Sequence, residues 1–476
     1  MSAGAHVLLF PFPALGHLIP LLDLAHHLAI RGLTITILVT PENLHILNPL
    51  LSKNSTINTL VFPFPNYPSI PFGIENLKDF SPNIRPTSMI HALGELYQPL
   101  LTWFRSHPSP PVAIISDMFL GWTHRLACQL GVRRFVFSPS GAMALATMYS
   151  LWQEMPNAPK DQNELFSFSK IPSCPKYPWW QISTIYRSYV EGDPVSEFTK
   201  EGMQDNIASW GLIVNSFTLL EGIYFEHLRK QLGHDRVWAV GPILPKETID
   251  MTPPERGGSS TVSMHDLKTW LDTCEDHKVV YVCYGTQVLL TKDQMEAVAS
   301  GLEKSGVHFI WCVKQPSKEL VGEGYSMIPS GFEDRVAGRG LIIRGWVPQG
   351  WILSHRAVGA FLTHCGWNSI LEGIVAGVPM LACPMGADQF VGATLLVEEL
   401  KGAKRVCDGA NVVSHSAKLA RALMESVSDE SRVEKERAKE LRMTAVDAIK
   451  EDGSSDNNLN AFVKHVVGLG SETDEG

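Results

Sequence analysis

Short apolar, β-branched runs alternate along the chain with longer amphipathic ones. AHVLLFP, LIPLLDLAHHLAIRG and LTITILVT read in turn as a strand, a helix ending at Gly32 and a second strand, the opening βαβ unit of a parallel sheet. VAIIS (112–116), RFVFS (134–138), GLIVNS (211–216) and RVWAVG (236–241) continue the strand pattern. Between them IPSCPKYPWWQIS (171–183), rich in Pro and aromatic residues, reads as a loop over a pocket. Residues 246–262, KETIDMTPPERGGSSTV, combine Pro, Gly, Ser and charge in the manner of a linker. The pattern then restarts with KVVYVCYG (278–285), HFIWCV (308–313), GLIIRGW (340–346), AVGAFLTH (357–364) and VPMLACP (378–384).

The expected fold class is therefore α/β, with two doubly wound, Rossmann-like domains over 1–245 and 263–455. The linker 246–262 joins them, and 456–476 forms a C-terminal helix and tail. Within that tail AFVKHVVGL (461–469) has an apolar face suited to packing back on the first domain. A chain of 476 residues suits two cores better than one. Ligands of open α/β sheets bind beyond the carboxyl ends of the strands, so residues just after strands carry the chemistry.

Composition narrows the partners. The chain is 45% hydrophobic and 19% charged, as globular proteins are. Its net charge of −9 and lack of a long basic run exclude a nucleic-acid backbone. The eight cysteines form no C-x-x-C pair and no H-E-x-x-H is present, which argues against a disulfide framework and structural zinc and for a reducing compartment. The apolar N-terminus lacks a basic region and is broken by prolines, Gly16-His17 and Asp23. No window offers 18 uninterrupted apolar residues. A soluble, cytoplasmic chain with no membrane span is expected.

Polar and aromatic side chains concentrate in THCGWNSILEG, between the strand AVGAFLTH and a short helix stopped by Gly377. Ser369-Ile-Leu-Glu372 has the spacing of a capping box, which alone would make both residues helix caps. The same geometry aims backbone N–H groups and the positive end of a helix dipole beyond the strand, a ready phosphate site. His364, Asn368 and Ser369 add donors there. Glu372 would repel a phosphate, so it should face something neutral, such as ribose hydroxyls.

From Trp346 to Gln389 the chain carries W-x-P-Q, H-x-x-x-G-x-F-x-T-H-C-G-W-N-S-x-x-E, G-V-P-M and D-Q in one frame. This resembles the 44-residue signature box of plant family-1 glycosyltransferases, UDP-sugar-dependent enzymes that glycosylate small molecules. FPALGHLIP, IISDMF, VNSFTLLE, WAVGPI and YVCYGTQ are similar to the family's other landmarks. The resemblance implies a GT-B fold, two facing Rossmann-like domains with a cleft between them, the first binding the acceptor and the second the UDP-sugar. By position it implies that Trp346 stacks on uracil, Val347 bonds uracil through its backbone, and Gln349 and Glu372 hold the ribose. His364, Asn368, Ser369 and Thr286 would take the diphosphate, with Gly366 in the same donor set. Trp367, Asp388 and Gln389 would contact sugar hydroxyls, and Ser140 would lie near the sugar. His17 resembles the family's general base, and Asp117 would orient it. Gly16, Phe119, Trp122, Met143 and the Pro-Trp-Trp stretch would line the acceptor site.

The sequence holds no D-x-D triplet, so no bound metal is implied; the UDP-sugar is a co-substrate and no cofactor is expected. Cys383 stands where the family usually has Trp, Gly392 where relatives often have Asn, and Ser138-Pro139-Ser140 where many glucosyl-transferring relatives have Thr. The expected reaction is inverting transfer of glucose from UDP-glucose to a phenolic acceptor, flavonoid or hydroxybenzoate-like, by a monomer. Alternatives are another UDP-sugar (rhamnose, xylose or galactose), a non-catalytic sensor retaining the UDP-sugar site, and a nucleotide-sugar epimerase.

Overall fold

The computed structural model describes residues 4–244, 261–409 and 415–473. The expected linker thus lies outside the described residues save for its last two positions. The chain divides into two units, Met1–Ile243 with Asp447–Gly476, and Leu244–Val446. The second boundary falls inside the helix Arg432–Ile449 rather than at 456, because the charged helical run crosses the junction with no Gly or Pro to break it.

Among the described residues the first unit contains β1 (His6–Phe10), β2 (Thr34–Val39), β3 (Ile57–Val61), β4 (Ala113–Asp117), β5 (Arg133–Ser138), β6 (Leu165–Ser167), β7 (Lys176–Pro178), β8 (Gly211–Val214) and β9 (Val237–Ala239). Seven of them form one parallel sheet in the order β3-β2-β1-β4-β5-β8-β9, while β6 and β7 make a separate hairpin. The helices that matter below are α1 (Leu15–Ala29), α2 (Ala142–Glu154), α3 (Pro194–Ala208), α4 (Thr218–Leu232), α5 (Trp367–Ala376) and α6 (Ser454–Thr473).

Alternate residues of a strand face opposite sides of a sheet. Accordingly Val7 and Leu9 join one core, with Leu21, Leu24 and Leu28 of α1, whereas Leu8 and Phe10 join another. The apolar stripe of α6 closes the first of these cores through Leu459, Phe462, Val463 and Val466, with Phe462 edge-on to Phe135 at 5.1 Å. Each such side chain contributes roughly 1.5–3 kcal/mol on burial, which gives the tail its reason to return to this sheet. Arg31 fastens the same helix, bonding Asn460 at 2.8 Å and pairing with Asp456.

The Pro-Trp-Trp stretch departs from its expected role. It supplies β7 and a short turn, and Trp179 is buried edge-on to Phe166 and Tyr186. Trp179 thus packs into the aromatic cluster instead of standing open as a pocket wall, whereas Trp180 stays half-buried.

The second unit contains β10 (Val279–Cys283), β11 (His308–Val313), β12 (Gly340–Arg344), β13 (Val358–Thr363), β14 (Met380–Ala382) and β15 (Ala403–Arg405), parallel and ordered β12-β11-β10-β13-β14-β15. Cys383 and Cys407 are disulfide-bonded, a single pair not anticipated where no disulfide framework was expected. Spacing could not reveal this pair. Parallel pairing of Ala382 with Arg405 brings the residues after β14 and β15 side by side, with Cα atoms 4.8 Å apart. No helix among the described residues is long and apolar enough to cross a membrane.

Each sheet has one place where strand order reverses, between β1 and β4 and between β10 and β13. Loops leaving neighbouring strands there part to opposite faces and open a crevice. The chemistry-bearing residues gather at these two places.

Candidate active site

In the first unit α1 begins five residues beyond β1, and His17 sits in its first turn. Asp117 is the last residue of β4, the neighbour of β1 at the reversal. The two side chains meet with His17 Nδ1 2.8 Å from Asp117 Oδ2. Asp117 is fully buried, and its other oxygen accepts the Phe119 N–H at 2.9 Å, capping the turn Met118–Leu120. It therefore serves both as a cap and as a partner for the imidazole. The His17 side chain remains 17% exposed, stacked on Phe119 at 4.7 Å and edge-on to Phe12 at 5.6 Å. A carboxylate on Nδ1 selects the tautomer with Nδ1–H, which leaves the basic lone pair on Nε2. Such a nitrogen can take a proton from a hydroxyl delivered to it.

Gly16 is exposed beside His17 and Phe119 is half-buried against it, so both stand at this site. Trp122 and Met143 do not fit the acceptor role expected of them. Trp122 precedes the helix Thr123–Leu130 and turns inward, buried edge-on to Phe10 at 6.1 Å. Met143 lies in the first turn of α2 with its side chain buried, so it too offers almost no surface. Ser140 belongs to the loop between β5 and α2, where its carbonyl accepts from Ser138 Oγ at 3.0 Å. It lies in the first unit, whereas the rest of the expected donor set lies in the second.

Glu221 was not found by sequence reasoning. Buried in α4 at a break in helical geometry (φ −131, ψ 28), it accepts the N–H groups of Ala142 and Met143 at 2.8 Å each, and the Ser216 hydroxyl. The positive end of α2 is thereby filled by the protein's own carboxylate. The only signal was an acid closing the mixed run SFTLLE, and nothing in spacing pointed to a partner 79 residues away.

In the second unit Gly285 and Thr286 follow β10 and His364 follows β13. A Cβ on Gly285 would meet His364 Nε2 at 2.6 Å, and one on Gly366 would meet the same atom at 2.5 Å. Two glycines thus make room for one imidazole. Burial lowers that imidazole to about 4, against the opposing pull of a backbone hydrogen bond with Cys283, so it is neutral at pH 7. Cys365 between them holds the left-handed conformation (φ 63), its N–H bonded to Thr363 Oγ1 at 3.1 Å. Burial pushes its thiol up to about 12, which makes it inert.

The capping box is not formed. Helix α5 starts at Trp367 with Gly366 as its N-cap, which places Ser369 in the third helical position. There Ser369 Oγ accepts from Gln349 Nε2 at 2.9 Å, and the Glu372 carboxylate accepts from the same amide. Gln349, Ser369 and Glu372 form one cluster, while Gly366 has no side chain with which to cap the helix. Trp346 is half-buried beyond β12, Val347 and Trp367 are buried, Asn368 is half-buried and Thr286 is exposed.

Comparison with known proteins turns this arrangement into a family assignment. The family model for UDP-glucoronosyl and UDP-glucosyl transferase matches residues 261–444. A flavonol 3-O-glucosyltransferase of Arabidopsis thaliana is 56% identical over 470 residues, covering 98% of this chain and 97% of the relative. UDP-glycosyltransferase 89B2 of Stevia rebaudiana is 55% identical, covering 98% of each chain. The chain is a plant family-1 UDP-glycosyltransferase. Among solved structures, Arabidopsis thaliana UGT89C1 complexed with UDP-L-rhamnose gives a TM-score of 0.81 at 37% identity, covering 98% of this chain and 100% of that one. The complex of that protein with quercetin gives 0.79 at 36%, with the same coverage. The transferase thus has the GT-B fold, with two Rossmann-like parallel-sheet units.

The departures of this UDP-glycosyltransferase from the family pattern have local explanations. A Cβ at Gly392 would lie 2.7 Å from Ile370 Cδ1 of α5 and 3.1 Å from the Cys365 carbonyl, so a larger residue there would need the Ile370 side chain to turn away. Cys383 is buried in the second unit's core and filled out by its partner Cys407. Asp388 precedes the helix Gln389–Thr394 without capping it through its side chain. Gln389 folds back instead, its Oε1 accepting the N–H groups of Met385 (2.8 Å) and Gly386 (3.0 Å). What Gln389 can offer a sugar is therefore its Nε2–H groups.

Proposed function

We propose that the transferase moves glucose from UDP-glucose to a hydroxyl of a flavonol, inverting the anomeric carbon. The observation that carries this reading is the 2.8 Å pairing of His17 Nδ1 with buried Asp117, at the strand-order reversal of the first unit. As the acceptor oxygen bonds to C1, the bond from C1 to the β-phosphate oxygen breaks, the hydroxyl proton passes to His17 Nε2, and UDP leaves as the anion. Asp117 holds the ring and offsets the imidazolium charge. The N–H groups at the start of α5, with His364, Asn368, Ser369 and Thr286, receive the diphosphate. Trp346 and Val347 take uracil, Gln349 and Glu372 the ribose, and Trp367, Asp388 and Gln389 the sugar, with Ser140 near it. No resident metal or cofactor is part of the proposal. The chain acts as a monomer.

Support for the flavonol and for glucose comes from the relative at 56% identity, a flavonol 3-O-glucosyltransferase. Rhamnose is the second reading, favoured by the UDP-L-rhamnose complex at 37% identity. Pure UDP-glucose and UDP-rhamnose are each offered with a panel of flavonols and hydroxybenzoates, and products are read by mass, which separates hexose from deoxyhexose. His17→Ala is run in parallel and is expected to bind UDP as wild type does while transfer collapses. Retention of full transfer by that variant would remove the base role, and failure of wild type on every pair would leave a sensor as the better reading.

A further inference from the structure

We propose that Arg134 is a positioning residue for the His17–Asp117 pair, acting by holding the turn 116–118 in a buried guanidinium network; this rests on the base reading of His17. Arg134 is the second residue of β5, the strand beside β4, and its side chain is only 1% exposed. Its Nε donates to Ser116 Oγ at 2.9 Å, Nη1 donates to Asn206 Oδ1 at 2.8 Å and Ser209 Oγ at 2.7 Å, and Nη2 points to the Asp117 carbonyl at 3.4 Å. Asn206, on α3, closes the ring by donating Nδ2–H to the Met118 carbonyl at 2.7 Å. Ser116 Oγ is also tied to Thr123 Oγ1 at 2.7 Å. Residues 116, 117 and 118 are each reached, directly or through Asn206, by one guanidinium.

These acceptors are neutral, so an ion has been buried without a hydrogen-bonded carboxylate to offset it. Burial of an ion costs several kcal/mol, and an apolar side chain would fill the same volume more cheaply. The cation remains charged at neutral pH even though burial lowers it to about 10, and it attracts the nearby Asp117 and Asp205 carboxylates. Only the planar fork of arginine can meet acceptors on β4 and α3 together; a lysine ammonium keeps the charge and loses the fork. The arrangement fixes the direction in which Asp117 presents its carboxylate to His17, in a place the acceptor does not touch.

The test is a double-mutant cycle in the full-length enzyme, with turnover of UDP-glucose and a flavonol, UDP affinity and melting temperature read for each protein. Arg134→Lys is expected to lower kcat about 10-fold with UDP affinity unchanged, and to have almost no further effect in an Asp117→Asn background. A residue that matters only for folding would lower the melting temperature and multiply its penalty unchanged in that background. Such an additive cycle, or wild-type kcat in folded Arg134→Lys, overturns the inference. If Arg134→Lys does not fold, Asn206→Ala carries the same comparison, because it keeps the guanidinium and cuts the bridge to the Met118 carbonyl. Full activity of Asp117→Asn alone would overturn the base reading itself, a result distinct from an additive cycle.

Discussion

Asp117→Asn probes the proposed base with the least change of shape. In the native protein one carboxylate oxygen accepts from His17 Nδ1 at 2.8 Å and the other from the Phe119 N–H at 2.9 Å. Asparagine has one acceptor oxygen for these two donors. If that oxygen turns to His17, the amide N–H groups confront the buried Phe119 N–H and leave it unsatisfied, at about 1–3 kcal/mol. If it stays on Phe119, the amide donates to His17 Nδ1, and the imidazole must move its proton to Nε2. The second arrangement satisfies every donor and is the one the variant adopts, with the lone pair facing the wrong way. The loss is that of a positioned general base, about 10²–10⁴-fold in kcat, or roughly 3–5 kcal/mol of barrier. UDP affinity should be unchanged, because apart from Ser140 the proposed donor contacts belong to the second unit. Initial rates with UDP-glucose and a flavonol give kcat, and calorimetric titration gives UDP affinity. A kcat within about threefold of wild type, in a folded variant, would refute the tautomer argument.

Gly366→Ala keeps an ordinary backbone (φ −62, ψ 142), so its whole effect is the Cβ placed 2.5 Å from His364 Nε2. Overpacking of this kind costs about 1–3 kcal/mol, so the melting temperature should fall by a few degrees, and titration should show UDP bound about 10-fold or more weakly. Glu221→Gln leaves one of the two α2 N–H groups facing an amide N–H; unfolding should show a loss of about 2 kcal/mol or more, and an unchanged midpoint would refute the cap. Stability should also fall as pH drops from 6.5 toward 4, because His364 is lowered from 6.5 to about 4 by burial and the unfolded chain takes the proton first. His6, His124, His227 and His234, each lowered chiefly by burial, act with the same sign. His364→Asn should reduce the slope of melting temperature against pH over that interval, and an identical slope would contradict the assignment.

The strands were legible because a parallel sheet covered on both faces writes itself as short continuous apolar runs. The places of strand-order reversal were not, since order depends on which strands pair and not on their sequence. His17 and Asp117, 100 residues apart, could be joined beforehand only by family resemblance. Trp122 and Met143 were misassigned for a related reason: residue type reveals apolarity, and the direction of the side chain is decided by packing. The capping box failed because Ser369 matches a cap in spacing, whereas the helix had already begun at Trp367 behind a glycine. Buried charges were the least legible. Arg134 and Glu221 take partners 72 and 79 residues away, and no local pattern distinguishes them from surface charges.

The two helix starts explain why an acidic chain needs no basic patch to hold UDP. At α2 the positive end is closed by Glu221, which accepts the Ala142 and Met143 N–H groups, so this end has no dipole left for an anion. At α5 the N-cap is Gly366, with no side-chain cap and no acid in the first turn. The acid of that helix, Glu372, stands further along and accepts from the Gln349 amide. The positive end of α5 is therefore not closed by a carboxylate as that of α2 is, and a neutral His364 stands beside it without adding charge. If donors and dipoles rather than lysines and arginines hold the diphosphate, as proposed, UDP affinity should depend only weakly on salt. Calorimetric titration of UDP at low and at physiological ionic strength measures this dependence directly. A steep loss of affinity between the two would require a cation at the site, and would count against the helix start as the main phosphate anchor.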